Sequence, residues 1–419
     1  MEINLSLEFY DDAQRSLFEK YPNGETIIRL TENPISVRKD EILAYMMFTE
    51  QKEVDGFKTY EDLQNRIGSR LGDIEDYLTF SDGSLSAKFI GDEMYPDFTE
   101  RIGVSLGICT INSIHSLHEA DWKKILEERG RNANPTFDFK NTNIASTGYN
   151  FIQVENKGSI VENNTQKISS VPGHFNSINR KKKYVRTIEK EMNVPLHKNL
   201  YYGTISVLDN HKNSVPKVWL VDPPVFEIEM NPRKYKILSR LHFYLDEFKN
   251  IGVKESLINA FEKRINALEE TSEIDKFANK QLDYEYPVPY HLYMDGFMFA
   301  SINWNEAFGR VYFIEYKETL VPYVVAFPKR LMQLIIYQDF NAILNYKYKP
   351  DYDLSNVELL MRVRHIDWEK YNLAESFGKV FKRKNRFEAF YYGLVNYSES
   401  GRIFGFLNPK KVEPIRRIR

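Results

Sequence analysis

The residues best placed to do chemistry lie in the segment Val154-Glu-Asn-Lys-Gly158 and, with 16 residues intervening before its glutamate, at Asp138. The surrounding run Tyr149–Lys157 alternates as a β-strand does, and strand side chains change face with period two. Glu155 and Lys157 therefore project from one face, while Ile152 and Val154 project from the other and anchor the strand in a core. A carboxylate beside an ammonium suits one task well. The carboxylate, joined by a second from a neighbouring strand, offers hard oxygen ligands to Mg²⁺ or Mn²⁺. The ammonium positions an attacking water and offsets charge that builds on a phosphate. Asp138, in Asn134-Pro-Thr-Phe-Asp138, is the candidate second carboxylate, with enough chain between it and Glu155 for a returning loop.

These residues need elements to hold them, and the sequence from 115 to 225 supplies a plausible order. His115–Arg129 has amphipathic helical spacing, with Leu117, Trp122, Ile125 and Leu126 on one side and Gly130 beyond its end. Strands are expected at Pro135–Phe139 and Tyr149–Lys157, the second ended by Gly158. A helix is expected over His174–Met192, then strands at Leu200–Leu208 and Lys217–Val221, closed by Asp222-Pro-Pro224.

On Asp138, Glu155 and Lys157 the chain resembles the restriction-endonuclease-like, or PD-(D/E)XK, nuclease superfamily, whose mark is an acidic residue followed by Glu-x-Lys on the next strand. The resemblance covers about residues 115–225. It implies an αβββαβ core, a mixed sheet flanked by helices, and Mg²⁺-dependent hydrolysis of phosphodiester bonds. In that pattern Asp138 and Glu155 hold the metal and Lys157 assists catalysis. Gly158-Ser159 would make the turn after the signature, and Glu127 and Glu128 would stand where some members add a carboxylate. Arg180, Lys181, Lys182 and Lys183 would steer the nucleic-acid backbone from the following helix. The chain departs from the pattern at Gly148-Tyr149-Asn150, where family members often carry Asp. If Asn150 occupies that ligand position, the metal is held weakly; if Asp138 does, the site is intact. The resemblance implies DNA as substrate, in a setting such as bacterial (antiviral) defence against foreign DNA. The alternative is a nuclease-like scaffold without activity, or a nucleic-acid-binding protein acting with a protein partner or a second copy of itself.

A second Glu-x-Lys occurs in the strand-like run Val311–Lys317, where Asp295 precedes Glu315 and Lys317. Glu318-Thr-Leu follows it instead of a tight turn, so a structural strand is its default. The segment Lys379–Arg386 interleaves cations with Phe387, Phe390, Tyr391 and Tyr392. Lys382, Arg383 and Lys384 there could contact phosphates while rings stack on bases; a solvated face is the competing reading.

The whole chain frames these motifs. At 419 residues, 42% of them hydrophobic and 28% charged, it is expected to fold as two or three domains of class α+β. Residues 1–107 read as an N-terminal α+β domain, with strands at Ile3–Phe9 and Leu85–Ile90 and a helix at Lys39–Phe48. Residues 108–230 read as the nuclease-like core. Residues 231–419 read as a helical, then mixed C-terminal domain: helical over 233–284, strand-rich over 286–328, with a helix at Pro328–Tyr346 and a basic tail. Charge is uneven. The first 100 residues carry 22 acidic and 10 basic side chains, residues 379–419 carry 11 basic and 3 acidic, and the chain totals −2. The tail could follow a polyanion or dock on an acidic surface. Cys109 is the single cysteine, so an intrachain disulfide and a multi-thiolate zinc site are both excluded, and its apolar surroundings mark it as a small buried hydrophobe. The N-terminus lacks signal-peptide character and no apolar run of membrane-spanning length occurs, so a cytoplasmic protein is expected. The chain has no P-loop, serine-hydrolase elbow or helical His pair with a metal-binding Glu.

Overall fold

A computed structural model describes residues 1–20, 24–49, 60–90, 96–124, 139–141, 151–191, 199–221, 231–284, 299–302, 307–316, 319–351, 357–364, 380–383 and 386–408. The chain is a mixture of helices and mixed β-sheet, as its patterning predicts. It divides into two compact units, Met1–Gly56 with Arg70–Ser239, and Phe57–Ser69 with Arg240–Arg419.

The first unit begins with β1 (Glu2–Phe9), α1 (Asp12–Phe18), α2 (Gly24–Glu32), β2 (Ile35–Arg38) and α3 (Lys39–Phe48). Then come α4 (Tyr60–Tyr77, shared across the boundary), the hairpin β3 (Leu78–Ser81) and β4 (Ser84–Ala87), and α5 (Pro96–His115). Next are β5 (Lys123–Lys124), β6 (Phe139–Asn141), β7 (Phe151–Ile160), α6 (Val171–Glu191), β8 (Asn199–Leu208) and β9 (Lys217–Val221). A seven-stranded sheet runs β2-β1-β9-β8-β7-β6-β5. Strands β5, β6 and β7 form an antiparallel meander, α6 crosses over, and β8 returns parallel to β7. β1 lies parallel beside β9, so this one sheet takes strands from both 1–107 and 108–230.

Helices cover both faces of the central strands. On one side Gly103 and Gly107 of α5 bring its backbone close to β7 and β8, and Ser206 Oγ donates to Gly103 O at 3.2 Å. On the other side Val171 and Ile178 of α6 join Ile205, Val207, Trp219 and Val221 in an apolar cluster. Burying such side chains stabilises by roughly 1.5–3 kcal/mol each, which fixes α6 over the sheet.

Two expectations for this region are corrected. The helix expected over His115–Arg129 instead ends at His115, where it began at Pro96. Ser116 takes a left-handed φ of 55°, and His118 caps a short 3-10 turn over Glu119–Asp121. Leu117 and Trp122 are buried as foreseen, but a folded-back segment puts them there, with Trp122 Nε1 donating to Asn112 Oδ1 at 2.8 Å. Gly158 also does not end its strand, since β7 continues to Ile160. No turn forms at Gly158-Ser159.

His115, at the end of α5, shares a 2.8 Å hydrogen bond with the Tyr202 hydroxyl, and burial lowers its pKa from 6.5 to about 3. The native state therefore resists protonating a group that the unfolded chain protonates readily. A depressed pKa of this kind leaves stability intact above pH 6.5 and removes it as pH falls from 6.5 towards 3. Between pH 7 and pH 5 this group should cost about 2 kcal/mol. Urea unfolding at both values should show the wild type losing that much more than His115→Gln. Equal losses in the two proteins would disprove the assignment.

The second unit holds α7 (Pro232–Asn250, shared across the boundary), α8 (Glu255–Glu269) and β10 (Phe299–Ile302). They are followed by β11 (Ala307–Tyr316), β12 (Thr319–Pro328), α9 (Lys329–Tyr337) and α10 (Phe340–Leu344). Last come β13 (Val357–Arg364), β14 (Val380–Arg383), β15 (Arg386–Tyr397) and β16 (Ile403–Asn408). Its sheet runs β13-β10-β11-β12-β16-β15-β14, and a further β13–β15 pairing closes six antiparallel strands into a ring. Arg402 is buried within this unit, paired with Glu247 and set over the rings of Phe243 and Phe327.

Among the described residues no helix is long and apolar enough to cross a membrane. Cys109 is buried in α5, as its apolar surroundings imply.

Candidate functional site

The site is built on β7. Strand alternation turns Glu155, Lys157 and Ser159 towards α6, and Asn156 and Gly158 towards α5. The hydrogen bonds follow this division. Asn156 Oδ1 accepts from Thr204 Oγ1 at 2.8 Å on the α5 side, while Ser159 Oγ meets Ser170 Oγ at 2.8 Å just before α6.

Glu155 is wholly buried, and two ammonium groups converge on it. Lys157 Nζ lies 2.6 Å from Oε1, and Lys181 Nζ lies 2.8 Å from the same oxygen. Lys181 donates its directed hydrogen bond to Oε2, at 2.9 Å. Oε1 is thus attracted by two cations at close range yet accepts no well-aligned hydrogen bond among the described residues. Burying a lone carboxylate is costly, and here the paired cations offset that cost. Both lysine side chains keep some access to solvent, at 21% for Lys157 and 16% for Lys181.

His174 sits beside this trio. Its Nε2–H donates to Gly158 O at 3.0 Å, which fixes the neutral tautomer with Nδ1 free of the proton. Burial holds its pKa below the ordinary value, and the Lys157 charge pushes the same way, against the pull of Glu155 and the carbonyl. His174, Ile178 and Lys181 recur at i, i+4 and i+7, one face of α6. Ile178 seats that face against Gly203 of β8, which leaves the histidine and the lysine over β7. The sequence offered this spacing, but His174 was read there only as the start of a helix.

The four cations expected along nucleic acid divide. Lys181 turns inward to Glu155, Arg180 and Lys183 are exposed, and the Lys182 side chain lies outside the described residues. Asp138, Asn150, Glu127 and Glu128 also lie outside them, although β6 begins at Phe139, which pairs with Val154. In the second Glu-x-Lys, Glu315 is exposed on β11 opposite Leu320, while Asp295 and Lys317 lie outside the described residues. Lys382 and Arg383 fall on β14, and Lys384 is outside the described residues.

For a divalent cation, the described residues offer one buried carboxylate with an incompletely hydrogen-bonded oxygen. No group of three or more His, Cys, Asp or Glu is placed to hold a metal among them. A hard cation fits at Oε1 if a second carboxylate joins Glu155 and an ammonium gives way. Without that second acid the trio carries one excess positive charge and suits an anion.

No family model matches this chain, and no curated protein or solved structure matches it either.

Proposed function

We propose that the protein is a metal-dependent nuclease acting on DNA, with Glu155 and Lys157 at its centre. The carrying observation is their projection, 2.6 Å apart, from one face of a central strand beneath a helix bearing Lys181. The order β5-β6-β7-α6-β8, an antiparallel meander followed by a parallel return, supports the restriction-endonuclease-like reading.

That reading requires Asp138 to share the face of Glu155. Phe139 pairs with Val154, so the same antiparallel register continued by one step would set position 138 opposite 155. Glu155 and Asp138 would then hold Mg²⁺ or Mn²⁺, which when bound polarises a phosphoryl oxygen and acidifies water. The remaining work belongs to the chain. Lys157 orients the attacking water and offsets charge on the phosphate. Lys181, released from Glu155, meets a non-bridging phosphate oxygen. His174, held neutral, leaves Nδ1 able to accept a proton from water. Exposed Arg180 and Lys183 draw in the backbone, a contact that weakens with salt.

The two ammonium groups already on Glu155 favour a second reading, a nucleic-acid-binding scaffold that works without a metal. One experiment separates the two. Purified protein is incubated with double-stranded DNA, single-stranded DNA and RNA, with Mg²⁺, Mn²⁺ or EDTA, and its melting point is followed across a Mn²⁺ titration. The nuclease reading expects cleavage of DNA that EDTA abolishes, together with a rise in melting point, because a ligand of the native state stabilises it. Salt-sensitive binding with neither cleavage nor a melting-point rise would leave the scaffold.

A further inference from the structure

The second unit contains a cavity that the nuclease reading does not use. It has a volume of about 460 Å³ and lies between the start of α9 and the segment after α10. Small-molecule sites commonly occupy roughly 300–1,000 Å³. Three cations, Arg330, Lys347 and Lys349, line it against one carboxylate, Asp351. Lys347 is engaged with Glu399 at 2.9 Å, whereas Arg330 and Lys349 have no ion pair among the described residues. Cations gathered in a concave wall reinforce one another's potential and attract an anion. The α9 N-terminus adds to this: Pro328 supplies no side-chain cap, and the first turn carries no acidic residue.

The rest of the wall suits a ring. Tyr348 is half-buried and held edge-on to Tyr397, with ring centroids 5.8 Å apart, so its orientation is set. Tyr346 is buried beside it, and Leu334 and Pro328 supply apolar surface. A fixed aromatic side chain next to apolar groups offers a stacking surface for a planar ligand. Cations and an aromatic ring in one lining together suit a molecule with a phosphate and a flat heterocycle.

We propose that this cavity binds a nucleotide, its phosphates on Arg330 and Lys349 and its base against Tyr348. The site is independent of Glu155 and Lys157, because every residue that lines it belongs to the second unit.

The test uses the full chain and N-methylanthraniloyl-ADP, followed by fluorescence anisotropy, with unlabelled ADP, GDP, UDP, CDP, adenosine and inorganic phosphate as competitors. Saturable binding is expected, displaced by at least one unlabelled nucleotide far better than by adenosine or phosphate. Arg330→Ala combined with Lys349→Ala should weaken it at least tenfold while leaving the melting point and circular dichroism unchanged, since both side chains are exposed. Tyr348→Ala should weaken it too, and Lys157→Ala should not affect it. The proposal is overturned if the probe does not bind, if the double variant binds as well as the wild type, or if phosphate competes as effectively as every nucleotide.

Discussion

Lys157→Ala is expected to reduce metal-dependent cleavage by about 10²–10³-fold or more while the protein stays folded. Its ammonium lies 2.6 Å from Glu155, and the Lys157 side chain is partly open to solvent, where a substrate would approach. Removing it deletes charge stabilisation where the phosphate gains charge. The fold should survive, because Lys181 still donates to Glu155 Oε2 at 2.9 Å and the buried carboxylate keeps a partner. Glu155→Ala should be at least as inactive, for a different reason: it removes the one described oxygen ligand at the site. Lys181→Met should lose less activity, since Lys157 remains. The measurements are initial cleavage rates in Mg²⁺ and in Mn²⁺, beside melting points for the three variants. Wild-type rates within tenfold for both Lys157→Ala and Glu155→Ala would remove this strand from the catalytic centre.

Local pattern carried much of this arrangement. Period-two alternation placed Glu155 and Lys157 on one face, and the helical spacing over His174–Met192 closely anticipated α6 (Val171–Glu191). Lys39–Phe48 and Lys217–Val221 are an element each, with those bounds. What local pattern could not carry was the long-range packing. α5 is buried over most of Ile102–Ile111, so it shows no polar stripe and reads as an apolar run rather than an amphipathic helix. The amphipathic spacing at Leu117 and Trp122 arises from a capped turn folded onto Asn112, which mimics a helix in composition. Parallel pairing of β1 with β9 joins segments about 200 residues apart, and the ring of six strands closes through a β13–β15 pairing, neither of which leaves a local trace. Glu155 illustrates the same limit within the site. Its neighbour Lys157 is evident from the strand, but its partner Lys181 arrives from a helix 26 residues on.

Gly158 is the sharpest case, because a glycine after a strand reads as a turn while here it serves a close approach in mid-strand. A Cβ at Gly158 would lie 2.0 Å from Thr99 O and 3.0 Å from Gly103 Cα, and a Cβ at Gly103 would lie 2.4 Å from Gly158 N. Favourable contacts between carbon atoms need about 3.5–4.0 Å. The obstructing atoms are backbone on both sides, so no rotamer change relieves them, and α5 would have to move away from β7. It cannot move freely. One turn on, a Cβ at Gly107 would meet Thr204 Oγ1 at 2.2 Å, so the helix is seated against β8 as well. Gly158→Ala is therefore expected to cost more than about 4 kcal/mol, beyond the usual range for overpacking, or to prevent the first unit from folding. Gly173→Ala is the control: it lies in the first turn of α6 with nothing within 4 Å of an added Cβ, and should be neutral or slightly stabilising. Urea unfolding of both variants decides the matter. If Gly158→Ala unfolds within 1 kcal/mol of the wild type, roughly the margin for an ordinary substitution, the helix and strand do not meet as described. Any folded Gly158→Ala molecules should also cleave more slowly, since Lys157 is the next residue and must follow the strand as it yields.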